Sequence, residues 1–365
     1  MHWCAPRRWR SLGAPQVPNV RVAVIGYGLS GRFFHAPLIA ATNGLEVASV
    51  VTSNPARRRQ VEAEHPGADV VASVEELWNG PRQDLIVVAS PNDSHMAIAL
   101  EAIEHGVPVV VDKPLALTAP AAETLVARAQ DAGVLLTVFQ NRRWDADQLT
   151  LRRLIAEDAL GDIVRYESRF ERWRPDLDQT KWRENVGPEE GGGVLLDLGS
   201  HLVDQALTLS GPVTHVYAEV DSRRGAPADD DVFIALQHAH GTISHLHASA
   251  VTPSIGPRLR VQGTTAAFLV TALDPQEAAL RAGERPDRVA DWGKPEEFER
   301  GRLVAGRRSV PVPAEPGDWP RFYALLRDAL LNGGPPPVDP FDAVHTLRVL
   351  DGARLAARDG ALVSL

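Results

Sequence analysis

A glycine-rich turn near the start of the chain constrains its fold more than any other sequence feature. The turn has the pattern G-x-G-x-x-G and consists of Gly26, Tyr27, Gly28, Leu29, Ser30 and Gly31. Glycines at this spacing allow a tight turn and let the backbone approach a pyrophosphate, while the following helix N-terminus supplies free N–H donors. The pattern is common, but here it follows the apolar run VRVAVI and opens a helical segment. That context favours dinucleotide binding over a strand–helix turn that only needs glycine.

Short β-branched runs alternate with helix-like segments up to about residue 140. The runs after the first are EVASVVT, DVVAS, DLIVVAS, PVVVDK and LLTVF. Strands that are apolar on both faces and alternate with helices are typical of a parallel sheet covered on both sides. We therefore predict an α/β Rossmann domain that binds a dinucleotide over residues 20–140.

The pattern changes after residue 140. Longer strands follow one another without intervening helices in HVYAEVD, DVFIALQH, TISHLHASAV and RLRVQGTTAAFLV. Helices are predicted at about 145–160, 194–209, 318–331 and 340–358. This predicts an α+β domain for substrate and subunit contacts over residues 141–365, built on an open, mostly antiparallel sheet. Such a sheet leaves one face without helices, and exposed apolar faces usually find a partner, so we expect a homodimer or homotetramer.

Length and composition exclude several classes of protein. The chain has 365 residues, of which 44% are hydrophobic and 23% charged, so disorder is not expected as its main state. It contains no run of 18 apolar residues, as a membrane-spanning helix would need. Its net charge of −9 argues against nucleic acid or an anionic membrane as the main partner. The single cysteine, Cys4, fits a reducing compartment, and we expect a cytoplasmic protein.

Residues 1–19 differ from the rest of the chain because they show no periodicity and carry three arginines and three prolines. We expect a disordered tail or an over-extended start. The pair Arg7-Arg8 also suggests a twin-arginine export signal. Such a signal needs an apolar stretch of about 7–15 residues, whereas Leu12 and Val17 stand among polar residues and prolines.

The residues that follow the second strand predict which dinucleotide binds. NAD-binding proteins usually place Asp or Glu there, whereas this chain has Ser53 and Asn54, followed by an arginine run that begins at Arg57. No carboxylate is present to repel a 2′-phosphate, and guanidinium groups bind phosphate in a bidentate manner. We therefore expect NADP, with NAD as the alternative cofactor. The arginine run could also be a solvated helix face.

Two places in the sequence could supply the groups for hydride transfer between an alcohol and a nicotinamide. This chemistry needs a proton acceptor and benefits from a nearby cation. Lys113 follows the fifth strand, at the sheet edge where ligands bind in this architecture. Asp197 and His201 lie four residues apart on a predicted helix and so share a face, and His201 can exchange a proton near neutral pH.

Two alternatives to catalysis remain open for these residues. One is a structural hydrogen bond between Asp197 and His201. The other is a metal site, for which no third ligand stands at a suitable spacing. His245 and His247 share a face of a predicted strand, and we interpret them as ordinary sheet residues, so no metal is expected.

Four motifs, in this order and spacing, resemble the Gfo/Idh/MocA family of oxidoreductases. They are the glycine turn, PNDSH at 91–95, DKP at 112–114 and Asp197-x-x-x-His201. The longer stretches GYGLSGRFFHAPLI, FQNRRWD, FERWRP and HLVDQA are similar to the NADP-dependent scyllo-inositol dehydrogenase branch of that family. Two features depart from the pattern: Asp112 stands where the family usually has Glu, and residues 1–19 have no counterpart in most relatives.

The resemblance implies a nicotinamide in the cleft between two domains, and it implies roles for particular residues. Lys113 and His201 would handle the proton, with Asp197 as their partner. Further cofactor contacts would come from Ser90, Pro91, Asn92, His95, Asp112, Lys113, Trp182 and Arg183. Contacts to a polyol would come from Asn141, Arg142, Trp173 and Arg174.

The expected activity is the reversible oxidation of a secondary ring hydroxyl with NADP. The first candidate substrate is scyllo-inositol, oxidised to its 2-keto form. A dehydrogenase or reductase of a sugar or sugar derivative, in a specialised pathway, is the alternative. A non-catalytic, NADP-binding regulatory protein is a third hypothesis, against which the presence of Lys113 together with Asp197 and His201 argues.

Overall fold

The computed structural model describes residues 19–297 and 300–365. The predictions for Cys4, for the Arg7-Arg8 pair and for the tail up to residue 18 lie outside these residues. Within the two described ranges, no helix has both the length and the apolar character needed to cross a bilayer. The cytoplasmic location expected from the sequence stays a prediction.

The first part of the chain forms a six-stranded sheet. Its strands are β1 (Val20–Ile25), β2 (Leu45–Val51), β3 (Asp69–Val71), β4 (Leu85–Val88), β5 (Val109–Asp112) and β6 (Leu136–Phe139). The strand order is β3-β2-β1-β4-β5-β6, and these pairs are parallel. The residues of β4, β5 and β6 are buried on both faces, because helices connect the strands and pack on the sheet. The predicted Rossmann architecture is confirmed.

The helices of this part of the chain differ from the prediction at one place. They are α1 (Ala36–Ala40), α2 (Pro55–Glu64), α3 (Val74–Trp78), α4 (His95–Glu104) and α5 (Ala119–Ala132). The helical segment predicted after the glycine turn begins with a π-helical turn, Gly31–His35, and only then becomes the α-helix α1. The glycine turn therefore opens a wider helical turn than the sequence pattern indicated.

The second part of the chain forms a nine-stranded sheet. Its strands are β7 (Ile163–Glu171), β8 (Val213–Asp221), β9 (Asp231–His238), β10 (Ile243–Ser249), β11 (Leu259–Gly263), β12 (Ala267–Val270), β13 (Arg302–Ala305), β14 (Arg308–Pro311) and β15 (Val363–Ser364). Their order is β14-β13-β12-β11-β7-β10-β9-β8-β15. Among these described strands, β7 pairs with β10 in parallel and the other pairs are antiparallel. The predicted mostly antiparallel sheet is confirmed, and the β13–β14 hairpin extends it beyond the predicted strands.

The α-helices of the described chain after residue 140 are α6 (Ala146–Ala156), α7 (Trp182–Asn185), α8 (Ser200–Ser210), α9 (Gln276–Arg281), α10 (Pro320–Asn332) and α11 (Pro340–Asp359). Helices α8 and α11 pack on strands of the nine-stranded sheet. The helix predicted at 194–209 forms as a π-helical turn, Leu195–Gly199, followed by α8. Helix α11 contacts β8 and α8 as well as α5 and β6. Since α11 contacts both parts of the chain, the domain division at residue 140 stays a prediction.

The opposite face of the nine-stranded sheet carries half-buried rings. Phe233 on β9 lies 4.9 Å from His247 and 5.8 Å from His245, both on β10, measured between ring centroids. Each of the three side chains is partly exposed. In the described part of the chain, no three His, Cys, Asp or Glu side chains come together in a way that could hold a metal ion.

Candidate functional site

A cleft of about 430 Å³ opens where the glycine turn faces the second part of the chain. The strand order reverses between β1 and β4, and ligands bind at such a switch point in open α/β sheets. From the first part, the cleft is lined by Gly26, Gly28, Leu29, Ser30, Arg57, Ser90 and Pro91. Its opposite wall includes Arg172, Arg174, Trp182, Arg183, Gly193, Asp197 and Asp229.

A second cavity, of about 550 Å³, lies between α8 and α11 and shares no lining residue with the cleft. It contains none of the predicted cofactor-binding, catalytic or substrate-binding residues. The cleft, by contrast, joins the glycine turn to the predicted catalytic segment. We therefore take the cleft as the functional site.

The three glycines of the turn serve different purposes. A Cβ atom on Gly31 would lie 2.0 Å from the carbonyl oxygen of Gly26, and one on Gly26 would lie 2.6 Å from the carbonyl oxygen of Ala89. Gly26 also has a φ of +98°, in the left-handed region that favours glycine. A Cβ atom on Gly28, however, would meet only the guanidinium nitrogens of Arg57, at 3.9 and 4.0 Å. Gly28 thus leaves open space beside the Arg57 guanidinium, and this space fits the pyrophosphate of a dinucleotide.

The residues after β2 are organised by a helix cap. Asn54 caps α2, and its Oδ1 accepts the backbone N–H of Arg57 at 3.2 Å. Arg58 donates to a backbone carbonyl of β3 at 2.9 Å, so its guanidinium is already bound. Ser53 is exposed and does not line the cleft. Of the predicted phosphate-binding residues here, Arg57 is the one whose side chain reaches the cleft.

Lys113 and Asp197 form an ion pair between the two parts of the chain. Lys113 Nζ donates to Asp197 Oδ1 and to the Asp197 backbone carbonyl, both at 2.7 Å. Burial by itself would raise the pKa of Asp197, but the charges of Lys113 and Arg183 outweigh it and hold that pKa below its usual range. Asp197 is therefore ionised and lines the cleft, while the Lys113 side chain is 12% exposed behind it.

His201 is buried close to this pair, but its hydrogen-bond partner is Gln140. His201 Nδ1 lies 3.2 Å from Gln140 Oε1, and since an amide oxygen only accepts, Nδ1 carries the proton. Nε2 then keeps its lone pair. Burial lowers the pKa of His201 well below its ordinary value, and the charges of Lys113 and Arg142 lower it further. His201 is therefore neutral near pH 7 and can accept a proton.

The structural hydrogen bond that the sequence allowed between Asp197 and His201 does not form. Asp197 lies in the π-helical turn, whose hydrogen bonds run from i to i+5, and His201 lies in the α-helix that follows. The change of helical repeat lets Asp197 pair with Lys113 while His201 turns to Gln140.

Several predicted cofactor contacts lie in the walls of the cleft without lining it. The Tyr27 hydroxyl donates to Glu64 at 2.7 Å. Asn92 is buried and donates to the carbonyl of Gly191 at 2.9 Å. The ring nitrogens of His95 contact two backbone carbonyls at 2.8 and 3.0 Å. Because buried polar groups need partners, these side chains are used to hold loops together, and only their loops reach the cleft.

Asp112 also lies behind the cleft rather than in it. Its Oδ1 is 3.9 Å from Nε2 of His35, which is fully buried in the π-helical turn after the glycines. Burial would raise the pKa of Asp112, but His35 and Lys113 outweigh it and keep the pKa below its usual range. Asp112 also accepts the backbone N–H of Lys113 at 2.8 Å. It therefore positions the turn that carries Lys113.

Three of the four predicted polyol contacts do not line the cleft. Arg142 is buried in ion pairs with Glu277 at 2.6 Å and Asp145 at 3.4 Å. Asn141 is buried in the same short helical turn. Trp173 is 55% exposed and is not a cleft residue, because strand alternation turns it away from the side that Arg174 occupies. Arg174 does line the cleft.

The structure adds three residues that the sequence interpretation missed. Arg172 lines the cleft two residues before Arg174, so strand alternation in FERWRP could have placed it on the same side. Gln140 follows β6 directly, at the carboxyl edge where ligand-binding residues collect. Asp229 lines the cleft beneath Gly193, and no sequence signal pointed to it.

Two protein-family models match the chain. A model described as an oxidoreductase family with an NAD-binding Rossmann fold matches residues 20–140, and one described as a GFO/IDH/MocA C-terminal domain matches residues 148–269. Together they cover more than half of the 365 residues. Both parts of the chain that line the cleft are therefore matched by models of the same family.

Similar proteins span nearly the whole chain. The uncharacterised oxidoreductase YdgJ of Escherichia coli is 39% identical over 352 residues, which are 95% of this chain and 99% of that protein. The scyllo-inositol 2-dehydrogenase (NADP(+)) IolW of Bacillus subtilis is 33% identical over 357 residues, 97% of this chain and 98% of that protein. Among solved structures, the oxidoreductase yvaA of Bacillus subtilis has a TM-score of 0.87 at 32% identity, over 95% of this chain and all of that one.

Proposed function

This chain belongs to the Gfo/Idh/MocA family of NAD(P)-binding oxidoreductases, and from that premise we propose that it oxidises a secondary hydroxyl of a cyclic polyol or sugar with NADP, reversibly. The observation that carries the proposal is the cluster of Lys113, Asp197 and His201, of which Asp197 lines the cleft together with the glycine turn. The cluster combines a cation with a neutral imidazole, which are the two groups that oxidation of an alcohol needs.

Each residue of the cluster has its own role in the reaction. His201, with Nδ1 held by Gln140, takes the hydroxyl proton on Nε2. Lys113 stabilises the negative charge that develops on the oxygen, and Asp197 holds Lys113 in position. A bound nicotinamide would supply the hydride acceptor, its C4 atom, so that the substrate hydroxyl carbon becomes a ketone. In the reverse direction, His201 returns the proton.

The choice of NADP rests on Arg57. Its guanidinium lies beside Gly28 in the cleft, and no carboxylate follows β2 to repel a 2′-phosphate. The relative IolW is named as an NADP(+) enzyme, which supports the same choice. NAD is the alternative cofactor.

Scyllo-inositol is the first candidate substrate, because IolW is named as its 2-dehydrogenase and is similar over almost the entire chain. A sugar or sugar-derivative dehydrogenase or reductase is the alternative, since the polar groups of the cleft would also suit an aldose or ketose. A regulatory protein that only binds NADP is disfavoured. Such a protein has no need of a neutral buried histidine beside a lysine–aspartate pair.

We also propose that subunits pair through the sheet face that carries Phe233, His245 and His247, to give a homodimer or homotetramer. Half-buried aromatic rings on an open sheet face support this proposal. Sedimentation of the purified protein measures the assembly, and Phe233→Arg is expected to shift it toward monomer. An unchanged sedimentation coefficient would exclude this face as the interface.

The test of the proposed function is a screen of absorbance at 340 nm with NADP or NAD against inositols and aldoses. Lys113→Ala and His201→Ala should each lower turnover by about 10²- to 10⁴-fold with little change in cofactor affinity. Lys294→Ala and His345→Ala, at exposed positions, serve as matched controls. Tight NADP binding without turnover of any polyol would favour the regulatory hypothesis. Full turnover in either cluster variant would show that its role is wrong.

A further inference from the structure

The wall of the cleft that the second part of the chain contributes is strongly basic. It carries Arg172, Arg174, Lys181, Arg183, Arg224 and Arg281, against the carboxylates Glu184, Asp197 and Asp229. The glycine turn and Arg57 lie on the opposite wall, where the pyrophosphate and 2′-phosphate of the cofactor are expected. The excess of positive charge therefore faces the part of the cleft that is left for the substrate.

Most of these cations already have a carboxylate partner. Arg224 pairs with Glu184 at 2.8 Å and with Asp230 at 2.9 Å. Arg281 pairs with Glu277 at 2.9 Å. Arg183 lies 3.8 Å from Asp197 and stacks on Trp182, with 4.8 Å between the guanidinium carbon and the ring centroid. Lys181 pairs with Asp178 at 3.1 Å and with Glu184 at 3.4 Å.

Arg172 and Arg174 differ from the others. Within residues 19–297 and 300–365, neither guanidinium makes a hydrogen bond or an ion pair. Both backbones are fixed, because the N–H of Arg172 donates to Ser249 at 2.8 Å and that of Arg174 to Ala250 at 2.7 Å. In extended chain, residues two apart project to the same side, so two unpaired guanidinium groups stand next to each other on a rigid edge.

The position of Arg172 relates this pair to the reacting groups. Burial lowers the pKa of Arg172, the charges of Asp197 and Glu277 oppose that change, and the charges of Arg174 and Arg142 add to it. Arg172 is half-buried and Arg174 is exposed. Burial removes part of the hydration of the Arg172 guanidinium, and an anion bound between the two side chains would compensate for that loss. Planar guanidinium groups match the oxygens of a carboxylate or phosphate in bidentate geometry.

We propose that Arg172 and Arg174 form an oxyanion subsite of the substrate pocket, so that the enzyme prefers polyols or sugars that carry a carboxylate or a phosphate ester. The inference rests on the proposed dehydrogenase function and makes its substrate class more specific. The anionic group anchors the substrate, and a ring hydroxyl reaches Lys113 and His201. Scyllo-inositol then lacks the anchoring group and is a neutral reference substrate with a high KM.

The experiment compares substrates that differ only in the anionic group. The pairs are D-glucose with D-glucuronate, D-glucose with D-glucose 6-phosphate, and myo-inositol with myo-inositol 1-phosphate. We expect the anionic member of at least one pair to have a kcat/KM at least tenfold higher, through a lower KM. The substrate pair that shows the preference identifies whether the subsite binds a carboxylate or a phosphate.

Variants connect that preference to the two arginines. Arg172→Gln and Arg174→Gln should remove it, because kcat/KM should fall more for the anionic member than for the neutral member of each pair, while the lysine variants should keep part of it. Lys181→Gln, at another cation of the cleft wall, is the matched control and should keep it. Isothermal titration of the NADP-loaded enzyme with each anionic compound gives a second readout that does not depend on turnover.

The outcomes separate the two proposals. If neutral polyols are oxidised and no anionic member is preferred or bound more tightly, the subsite is overturned and the dehydrogenase function stands. If anionic compounds bind, lose binding in Arg172→Gln and are never oxidised, the subsite stands and the proposed function is overturned. A preference that persists in both glutamine variants also overturns the subsite.

Discussion

Nδ1 of His201 lies 3.2 Å from Oε1 of Gln140, and both side chains are buried. This hydrogen bond joins the residue that follows β6 to helix α8, so it crosses from the first sheet to the second part of the chain. It also fixes which ring nitrogen is free. Gln140 is therefore expected to act as a positioning residue for the base.

The pH dependence of the reaction tests this role. The base must be neutral, and because the pKa of His201 is lowered, the acidic limb of kcat/KM in the unmodified enzyme should lie well below pH 6.5. Gln140→Glu places a carboxylate at Nδ1, raises the pKa of His201 and should move that limb to higher pH. Gln140→Leu should lower kcat by roughly 10- to 100-fold, since the ring loses its fixed orientation.

The measurement is kcat/KM for oxidation between pH 5 and 9 at saturating NADP. Gln237→Glu, on the exposed side of β9, is the control for adding a carboxylate elsewhere. If the profile of Gln140→Glu superimposes on that of the unmodified enzyme, Gln140 does not act on His201.

A second prediction concerns cofactor choice. Arg57→Ala should weaken NADP binding by about 10- to 100-fold, the range for loss of a hydrogen bond between charged groups, and should change NAD binding little. Arg59→Ala, on the same helix and exposed, is the matched control. Dissociation constants for both cofactors can be obtained by titrating protein fluorescence. Equal weakening of NADP and NAD by Arg57→Ala would remove the basis for preferring NADP.

The backbone architecture and the edge of the cleft could be predicted from sequence because both follow from local rules. The glycine turn needs small residues at three positions, and the structure shows close contacts at Gly26 and Gly31. Lys113 follows a buried strand, and the carboxyl ends of parallel strands meet at one edge. These signals need no knowledge of distant contacts.

The partner of each side chain could not be predicted in the same way. Asn92 donates a hydrogen bond to the carbonyl of Gly191, which is 99 residues away in the sequence. His201 bonds to Gln140, although Asp197 is nearer to it in the sequence. Such choices depend on which buried polar atoms lack a partner once the two parts of the chain have packed. The π-helical turn that carries Asp197 is another case, because its sequence has the spacing of an ordinary helix.

A third prediction uses Asp229, which is buried beneath Gly193 at the cleft. Burial raises the pKa of Asp229 to about 6, although its Oδ1 accepts the N–H of Leu195 at 2.7 Å. Stability from a raised carboxyl pKa is fully present below the unfolded value near 3.8 and is lost as pH rises through about 6. Asp229→Asn keeps the acceptor and cannot ionise. It should therefore raise the free energy of unfolding at pH 8 by about 1–3 kcal/mol and have a clearly smaller effect at pH 4.5.

Urea unfolding at the two pH values measures this difference. Asp291→Asn, at a carboxylate that is 78% exposed, is the control and should change neither value. If Asp229→Asn has the same effect at pH 4.5 and pH 8, ionisation of Asp229 does not limit stability.

The last prediction concerns Arg143, which lines the second cavity. Its guanidinium donates to both oxygens of Asp204, at 2.6 and 2.9 Å, and to Asp342 at 2.9 Å. Asp204 is only 2% exposed, so Arg143→Ala would leave a buried carboxylate without its partner and should cost about 3–5 kcal/mol of unfolding free energy. Arg348→Ala breaks an exposed pair with Glu123 in the same cavity region and should cost about 1 kcal/mol or less.

The loss of unfolding free energy in Arg143→Ala can be assigned either to the buried charge of Asp204 or to lost packing. In Arg143→Ala, the pKa of Asp204 should rise above its already raised value, so the deficit should shrink as pH falls from 8 to 5 and Asp204 takes up a proton. The double variant Arg143→Ala/Asp204→Asn should recover part of the stability at pH 8. Equal losses in Arg143→Ala and Arg348→Ala, or a deficit that does not change with pH, would mean that the buried charge is not what destabilises the variant.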